Sequence, residues 1–161
     1  MSLEYNHPGL SKIAYIIHPL RVARLLISFT NEPSPHEIML SLVHNLKEVV
    51  GEDEFKKTSL LNRKLKLDVN LLTVDRKHQW DKRYKKEYYY NLKTSTSACL
   101  VKVFDKFDNI FLLTDNPSKK IKILYLNEIE EFIIPLTSKL LPSLYNHMVS
   151  TFKTVKKEVL E

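Results

Sequence analysis

Residues 95–114 read STSACLVKVFDKFDNIFLLT, and this stretch decides the fold. Leu100, Val101, Val103, Phe104, Phe107, Ile110, Phe111, Leu112 and Leu113 cover most of a helical circumference, so the spacing predicts a central, buried helix. Two carboxylates interrupt the apolar surface. Asp105 falls angularly between Ala98 and Leu112, and Asp108 between Val101 and Phe104. A buried carboxylate is costly unless a cation or several donors meet it. The pair therefore expects either a salt bridge from a neighbouring helix or a metal. Asn109, four residues after Asp105, shares its face and is placed to orient a carboxylate or contact a ligand.

Outward from this helix the chain stays helical. Residues 11–30 read as a helix restarted at His18-Pro19, with His18 at the N-cap and Leu20, Val22, Ala23, Leu26, Ile27 and Phe29 as its apolar face. Ser34-Pro35-His36-Glu37 is a capping box that opens a helix running to Gly51. A further helix is expected around 53–65, and residues 68–93 are mixed and partly helical. Asn116-Pro117 ends the central helix and Ser118 starts the next. Pro135 and Pro142 break or kink the path before a C-terminal helix carrying Tyr145, Met148, Val149 and Phe152. Six or seven helices result, an all-α bundle forming one domain over residues 1–161.

Composition agrees. Two glycines among 161 residues are too few for tight-turn β architecture, while Leu, Lys and Glu are plentiful. A single cysteine, Cys99, excludes an internal disulfide framework and any multi-cysteine zinc site. No apolar run approaches the roughly 20 residues of a membrane span, and no signal-peptide pattern opens the chain, so the cytoplasm is the expected address and no membrane partner is expected. The net charge of +6 favours acidic partners, and much of it lies in Arg76-Lys77 and in Lys82-Arg83-Tyr84-Lys85-Lys86.

On the 35–50 helix, Ile38, Met39, Leu42, Val43, Leu46, Val49 and Val50 fill one face, and Glu37, Ser41, His44, Asn45 and Glu48 the other. The plain reading is an amphipathic helix with its polar side in water. Against it, the polar arc lacks the Lys/Arg partners of a solvated stripe and sets His44 one turn from Glu48, with Asn45 adjacent.

Three segments taken in order now resemble a known family. Tyr15-Ile16-Ile17-His18-Pro19-Leu20-Arg21-Val22-Ala23, then Leu42-Val43-His44-Asn45-Leu46-Lys47-Glu48, then Leu100-Val101-Lys102-Val103-Phe104-Asp105-Lys106-Phe107-Asp108-Asn109 are similar to the HD superfamily of metal-dependent phosphohydrolases. Their order and spacing look most like the hydrolase domain of stringent-response (p)ppGpp hydrolases. The resemblance implies a helical HD bundle in which His18, His44, Asn45 and Asp105 hold a divalent metal, manganese first, with iron or magnesium as alternatives. It implies that Glu48 handles the attacking water. It places Lys102 and Asn109, and the basic-aromatic residues Arg83, Lys85 and Tyr88, on the side of a small phosphorylated substrate, a nucleotide above all.

Two departures bear on the chemistry. Asn45 stands where that family carries aspartate, and Val49 where Glu48 has an aspartate neighbour. The region before the first motif offers only Lys12 in place of a basic stretch. Asparagine keeps a carbonyl oxygen but loses a negative charge, so metal affinity should fall unless Glu48 turns to the metal. Two functions follow: a phosphohydrolase of nucleotides or related metabolites, including (p)ppGpp-like pyrophosphohydrolysis, or a catalytically impaired HD module that binds a nucleotide or protein for regulation. A basic nucleic-acid binder ranks last, because no groove-reading motif or stacking platform is evident.

Overall fold

The computed structural model describes residues 16–161, and its regular segments are all helical. They are α1 (Ile17–Phe29), α2 (Pro35–Val43), α3 (Leu46–Val50), α4 (Glu52–Lys57), α5 (Arg63–Leu72), α6 (Lys82–Leu92), α7 (Thr96–Phe111), α8 (Lys119–Glu128), a π turn (Ile129–Ile133), α9 (Ile134–Leu140) and α10 (Pro142–Leu160). The expected helix over 11–15, with Lys12 and Tyr15, lies outside the described residues.

The start signals read from the sequence are real. Ser34 and Glu37 form the reciprocal capping box, with the Ser34 N–H donating to Glu37 Oε2 at 2.8 Å. Ser95 and Ser118 cap α7 and α8 without the reciprocal half, their hydroxyl oxygens accepting the Ala98 and Ile121 N–H, and Asn62 and Asp81 cap α5 and α6.

α7 is the axis of the fold. It packs against α1, α2, α5, α9 and α10, and Val101, Val103, Phe104 and Ile110 have no exposed surface. α10 lays Leu144, Met148, Phe152, Val155 and Val159, spaced three or four apart, into the same core. α5 contributes Leu65, Val69 and Leu72 from the opposite side.

Helix boundaries differ from the sequence expectation in four places. α1 begins at Ile17 with Ile16 at its N-cap, so His18 lies inside the first turn. Pro19 is tolerated there because first-turn N–H groups have no intrahelical acceptor to lose. The inward stripe of α1 is His18, Pro19, Val22, Ala23 and Leu26, while Leu20 and Ile27 face outward. The 35–50 helix is broken at His44-Asn45, where Asn45 takes φ −102° and ψ 5°. The segment around 53–65 is two helices, α4 and α5, separated by residues 58–62. Pro135 does not break the chain's path: the π turn just before it shifts the hydrogen-bond register, and α9 follows directly. These breaks turn the expected six or seven helices into ten α-helical segments among the described residues. Gly51, at φ +84°, closes α3 and opens α4, a backbone conformation that favours glycine.

Candidate metal centre and pocket

His18 on α1, His44 at the end of α2 and Asp105 on α7 are brought together in the core, each at most 5% exposed. His44 keeps helical φ and ψ, so the break falls after it, at Asn45, and its ring is 1% exposed and bonded to the Ser41 carbonyl of its own helix end.

The hydrogen bonds fix the imidazole faces. His18 Nδ1 lies 2.7 Å from Asp108 Oδ2, and His44 Nδ1 lies 2.7 Å from the Ser41 carbonyl oxygen. A carbonyl can only accept, and the Asp108 carboxyl is held below the usual carboxylate range despite its burial by His18 and Arg21. Both Nδ1 atoms therefore donate, leaving both Nε2 lone pairs inward. Those atoms are 3.2 Å apart, and Asp105 Oδ1 is 3.2 Å from His18 Nε2 and 3.9 Å from His44 Nε2. Three acceptors converge on one point. Only a cation, a proton or a metal ion, makes that arrangement favourable. Ligands at right angles around an ion about 2.1 Å away are themselves about 3 Å apart, so the spacing suits a metal.

Protonation follows the same logic. Burial pushes His44 down to about 4. Burial opposes charge on His18 as well, but the Asp105 and Asp108 carboxylates outweigh it and raise His18 to about 9. Burial disfavours the Asp105 carboxylate too, yet Lys102 and the histidines hold it well below its usual range. Asp105 accepts one side-chain donor on each oxygen, Lys102 Nζ at 2.9 Å on Oδ2 and Asn109 Nδ2 at 2.7 Å on Oδ1, with lone pairs left over.

Asp105, alone of the three, lines a cavity of about 180 Å³. Asn45, Lys102 and Asn109 line it beside Asp105, together with Glu48, Arg76, Trp80, Tyr84, Lys85 and Tyr88. Lys106, Leu112, Leu113, Ile121, Tyr125 and Glu128 also line it, with Glu128 paired to Lys85 at 2.9 Å. Asn45 is 8% exposed, and among the described residues its amide carries no hydrogen bond.

Of the residues singled out from the sequence, His18, His44 and Asp105 converge, and Asn45, Glu48, Lys85, Tyr88, Lys102 and Asn109 border the same cavity. Arg83 does not: it is exposed on α6 and absent from the cavity lining, turned about 100° round the helix from Tyr84 and further still from Lys85 and Tyr88. Glu48 does not join the converging ligands. Its carboxylate pairs with the Arg76 guanidinium and accepts the Val74 N–H at 3.4 Å. Lys102 is committed to Asp105, with its ammonium 5.7 Å from the Tyr88 ring centre.

Several contributors carry no sequence signal of their own. Arg76 and Trp80 come from the 73–81 loop, and Glu128 from the end of α8. Glu128 accepts from Lys85 at 2.9 Å, Lys106 at 3.0 Å and the Tyr89 hydroxyl at 2.7 Å, which holds two wall lysines in place. A carboxylate between Leu126 and Ile129 on an otherwise apolar face was the one available hint.

With the buried α7, the three-residue cluster and the cavity beside it, the fold is the all-helical HD fold. Among solved structures the chain is similar to that of a metazoan ortholog of SpoT described as hydrolysing ppGpp and playing a role in starvation responses. The TM-score is 0.74 at 18% sequence identity, over 94% of this chain and 86% of that one. No family model and no curated protein matches the sequence. No described helix is long and apolar enough to cross a membrane.

Proposed function

We propose that this protein is a metal-dependent phosphohydrolase of a nucleotide or related small phosphorylated metabolite. One observation carries the reading: two histidine Nε2 atoms and a carboxylate oxygen converge at 3.2–3.9 Å with both Nδ1 atoms already bonded elsewhere. His18, His44 and Asp105 would hold the ion, with the Asn45 carbonyl oxygen as a fourth donor. Imidazole and oxygen donors suit manganese, with iron or magnesium as alternatives. Bound there, a divalent cation supplies Lewis acidity towards a phosphoryl oxygen and a lowered pKa for water.

The protein's own groups divide the remaining work. Asp105 is matched by Lys102, and Glu48 by Arg76, so the side chains around the cluster are close to neutral as pairs. A dication then leaves uncompensated positive charge beside the cavity, which attracts a phosphate. Lys85 and Arg76 line the route to it. Glu48, 12% exposed on the wall, would orient or deprotonate water once an anionic substrate competes for Arg76. Tyr88, Trp80 and Tyr125 offer rings to a base or sugar. The likeness to a ppGpp-hydrolysing protein supports a substrate of the nucleotide type, including (p)ppGpp.

A second reading, a module that binds such a ligand without turnover, is favoured by Asn45 and by the Arg76 clamp on Glu48. One experiment separates the two. Mn²⁺-loaded protein and its His44→Ala variant are incubated with a panel of nucleotides, including ppGpp, and released phosphate and pyrophosphate are measured. Release lost in His44→Ala supports the hydrolase. Metal uptake and nucleotide binding with no release select the binding module, and no metal uptake overturns both.

A further inference from the structure

Asp108 touches the cluster without belonging to it. It lies on α7 one turn beyond Asp105, is 5% exposed, and places Oδ2 2.7 Å from His18 Nδ1. Arg21 on α1 grips both of its oxygens, Nε to Oδ1 at 2.7 Å and Nη2 to Oδ2 at 2.9 Å. This bidentate fork leaves the carboxylate one orientation, with an oxygen directed at the imidazole. The other histidine has no such partner, since His44 Nδ1 meets a neutral carbonyl. The two imidazoles are therefore different donors.

We propose that Asp108 supplies, through His18, the negative charge that Asn45 lacks as a ligand; the proposal rests on the metal-centre reading above. A carboxylate accepting the Nδ1 proton makes the opposite nitrogen of the ring more basic and fixes its direction. The charge is needed here more than in a site with two ligating carboxylates. Asp105 is the one carboxylate in the converging group, and Lys102 offsets it at 2.9 Å. Arg21 does not cancel Asp108 in the same manner. Its side chain is 33% exposed against 7% for Asp108, so solvent screens the guanidinium while the carboxylate faces the dry interior. Asp108 is thus a positioning and charge-supplying residue that acts through His18.

The test is a double-mutant cycle read by Mn²⁺ affinity, measured calorimetrically on the whole chain. The proteins are the unmodified chain, Asp108→Asn, Asn45→Asp, the combination, and His44→Ala as the site control. Asp108→Asn should weaken Mn²⁺ binding by about 10- to 100-fold, and the same change in the Asn45→Asp background should cost several-fold less. A purely structural Asp108 would not couple to position 45 in this manner. If Asp108→Asn does not fold, Asn45→Asp alone decides: a gain in Mn²⁺ affinity under roughly tenfold supports the proposal, and one of roughly a hundredfold or more overturns it. Affinity unchanged in Asp108→Asn, or a penalty equal in both backgrounds, overturns the proposal while loss of binding in His44→Ala leaves the metal centre standing. An unmodified chain that takes up no Mn²⁺ removes the metal reading and this inference with it.

Discussion

The Nε2 atoms of His18 and His44 face each other across 3.2 Å, each ring having already given its Nδ1 proton to a fixed acceptor. The folded protein builds this contact from helices 26 residues apart in sequence, and the unfolded chain has no equivalent. Metal binding should therefore stabilise the fold. At Mn²⁺ a hundredfold above its dissociation constant the gain is about 2.7 kcal/mol, or roughly 5–10 °C in Tm for a chain of this size. Melting curves in Mn²⁺ and in EDTA should differ by that amount, and His44→Ala should erase the difference. Equal curves for the unmodified protein would count against the centre.

Glu48 stands on the cavity wall outside the converging group. Glu48→Gln should leave Mn²⁺ affinity within about twofold while lowering kcat by about 10²- to 10⁴-fold, the usual contribution of a positioned base. A large loss of metal affinity would instead make Glu48 a ligand.

Much of this was legible in the sequence, for reasons tied to individual residues. α7 declared itself because apolar residues surround Asp105 and Asp108 on all sides, which local composition alone reveals. The capping box at Ser34 is equally local. The break at His44-Asn45 was not visible, since Leu42, Val43, Leu46 and Val49 continue a helical period straight through it. The proline rule misplaced the start of α1, because Pro19 is equally at home deeper in the first turn. Arg83 and Lys85 share one charged run, and only the docking of α6 decides that Lys85 reaches Glu128 while Arg83 points to solvent. The salt-bridge expectation is met at Asp108, which pairs with Arg21 across helices, while Asp105 pairs with Lys102 of its own helix and lies beside His18 and His44, where its metal role is a proposal.

Glu128 sets an acid limit on stability. Burial works against its charge, but Lys106, Lys85 and the Tyr89 hydroxyl outweigh that and hold the carboxyl down at about 2, against 4.5 in an ordinary glutamate. Lys106 is itself lowered by burial, so the pair is lopsided and the pH dependence belongs to the carboxylate, which has three donors. A depressed carboxyl contributes stability above its unfolded pKa and loses it as pH falls through the folded one. The contribution, about 3 kcal/mol, should be present above pH 4.5 and fade towards pH 2. Urea midpoints across that window should fall for the unmodified protein and fall less steeply for Glu128→Gln. At pH 7, Glu128→Gln should be less stable by about 3–5 kcal/mol, because it leaves a buried lysine unmatched.

Arg76 links the wall to the catalytic proposal. Its guanidinium meets Glu48 and, through Nη1, Gln79 Oε1 at 3.1 Å, while half of its side chain remains open to solvent at the cavity mouth. An incoming phosphate offers a stronger, bidentate partner than one carboxylate. If Arg76 transfers to substrate, two effects follow together: the substrate gains a charge-assisted contact, and Glu48 is released towards water. Arg76→Ala should then raise KM for the phosphorylated substrate by about 10- to 100-fold, the value of a hydrogen bond to a charged group, and leave Mn²⁺ affinity within about twofold. The KM effect should shrink as salt rises, since the contact lies at an exposed edge. An unchanged KM with a faster kcat would mean that Arg76 only restrains Glu48, whereas turnover that appears only in Arg76→Ala would favour the binding module over the hydrolase.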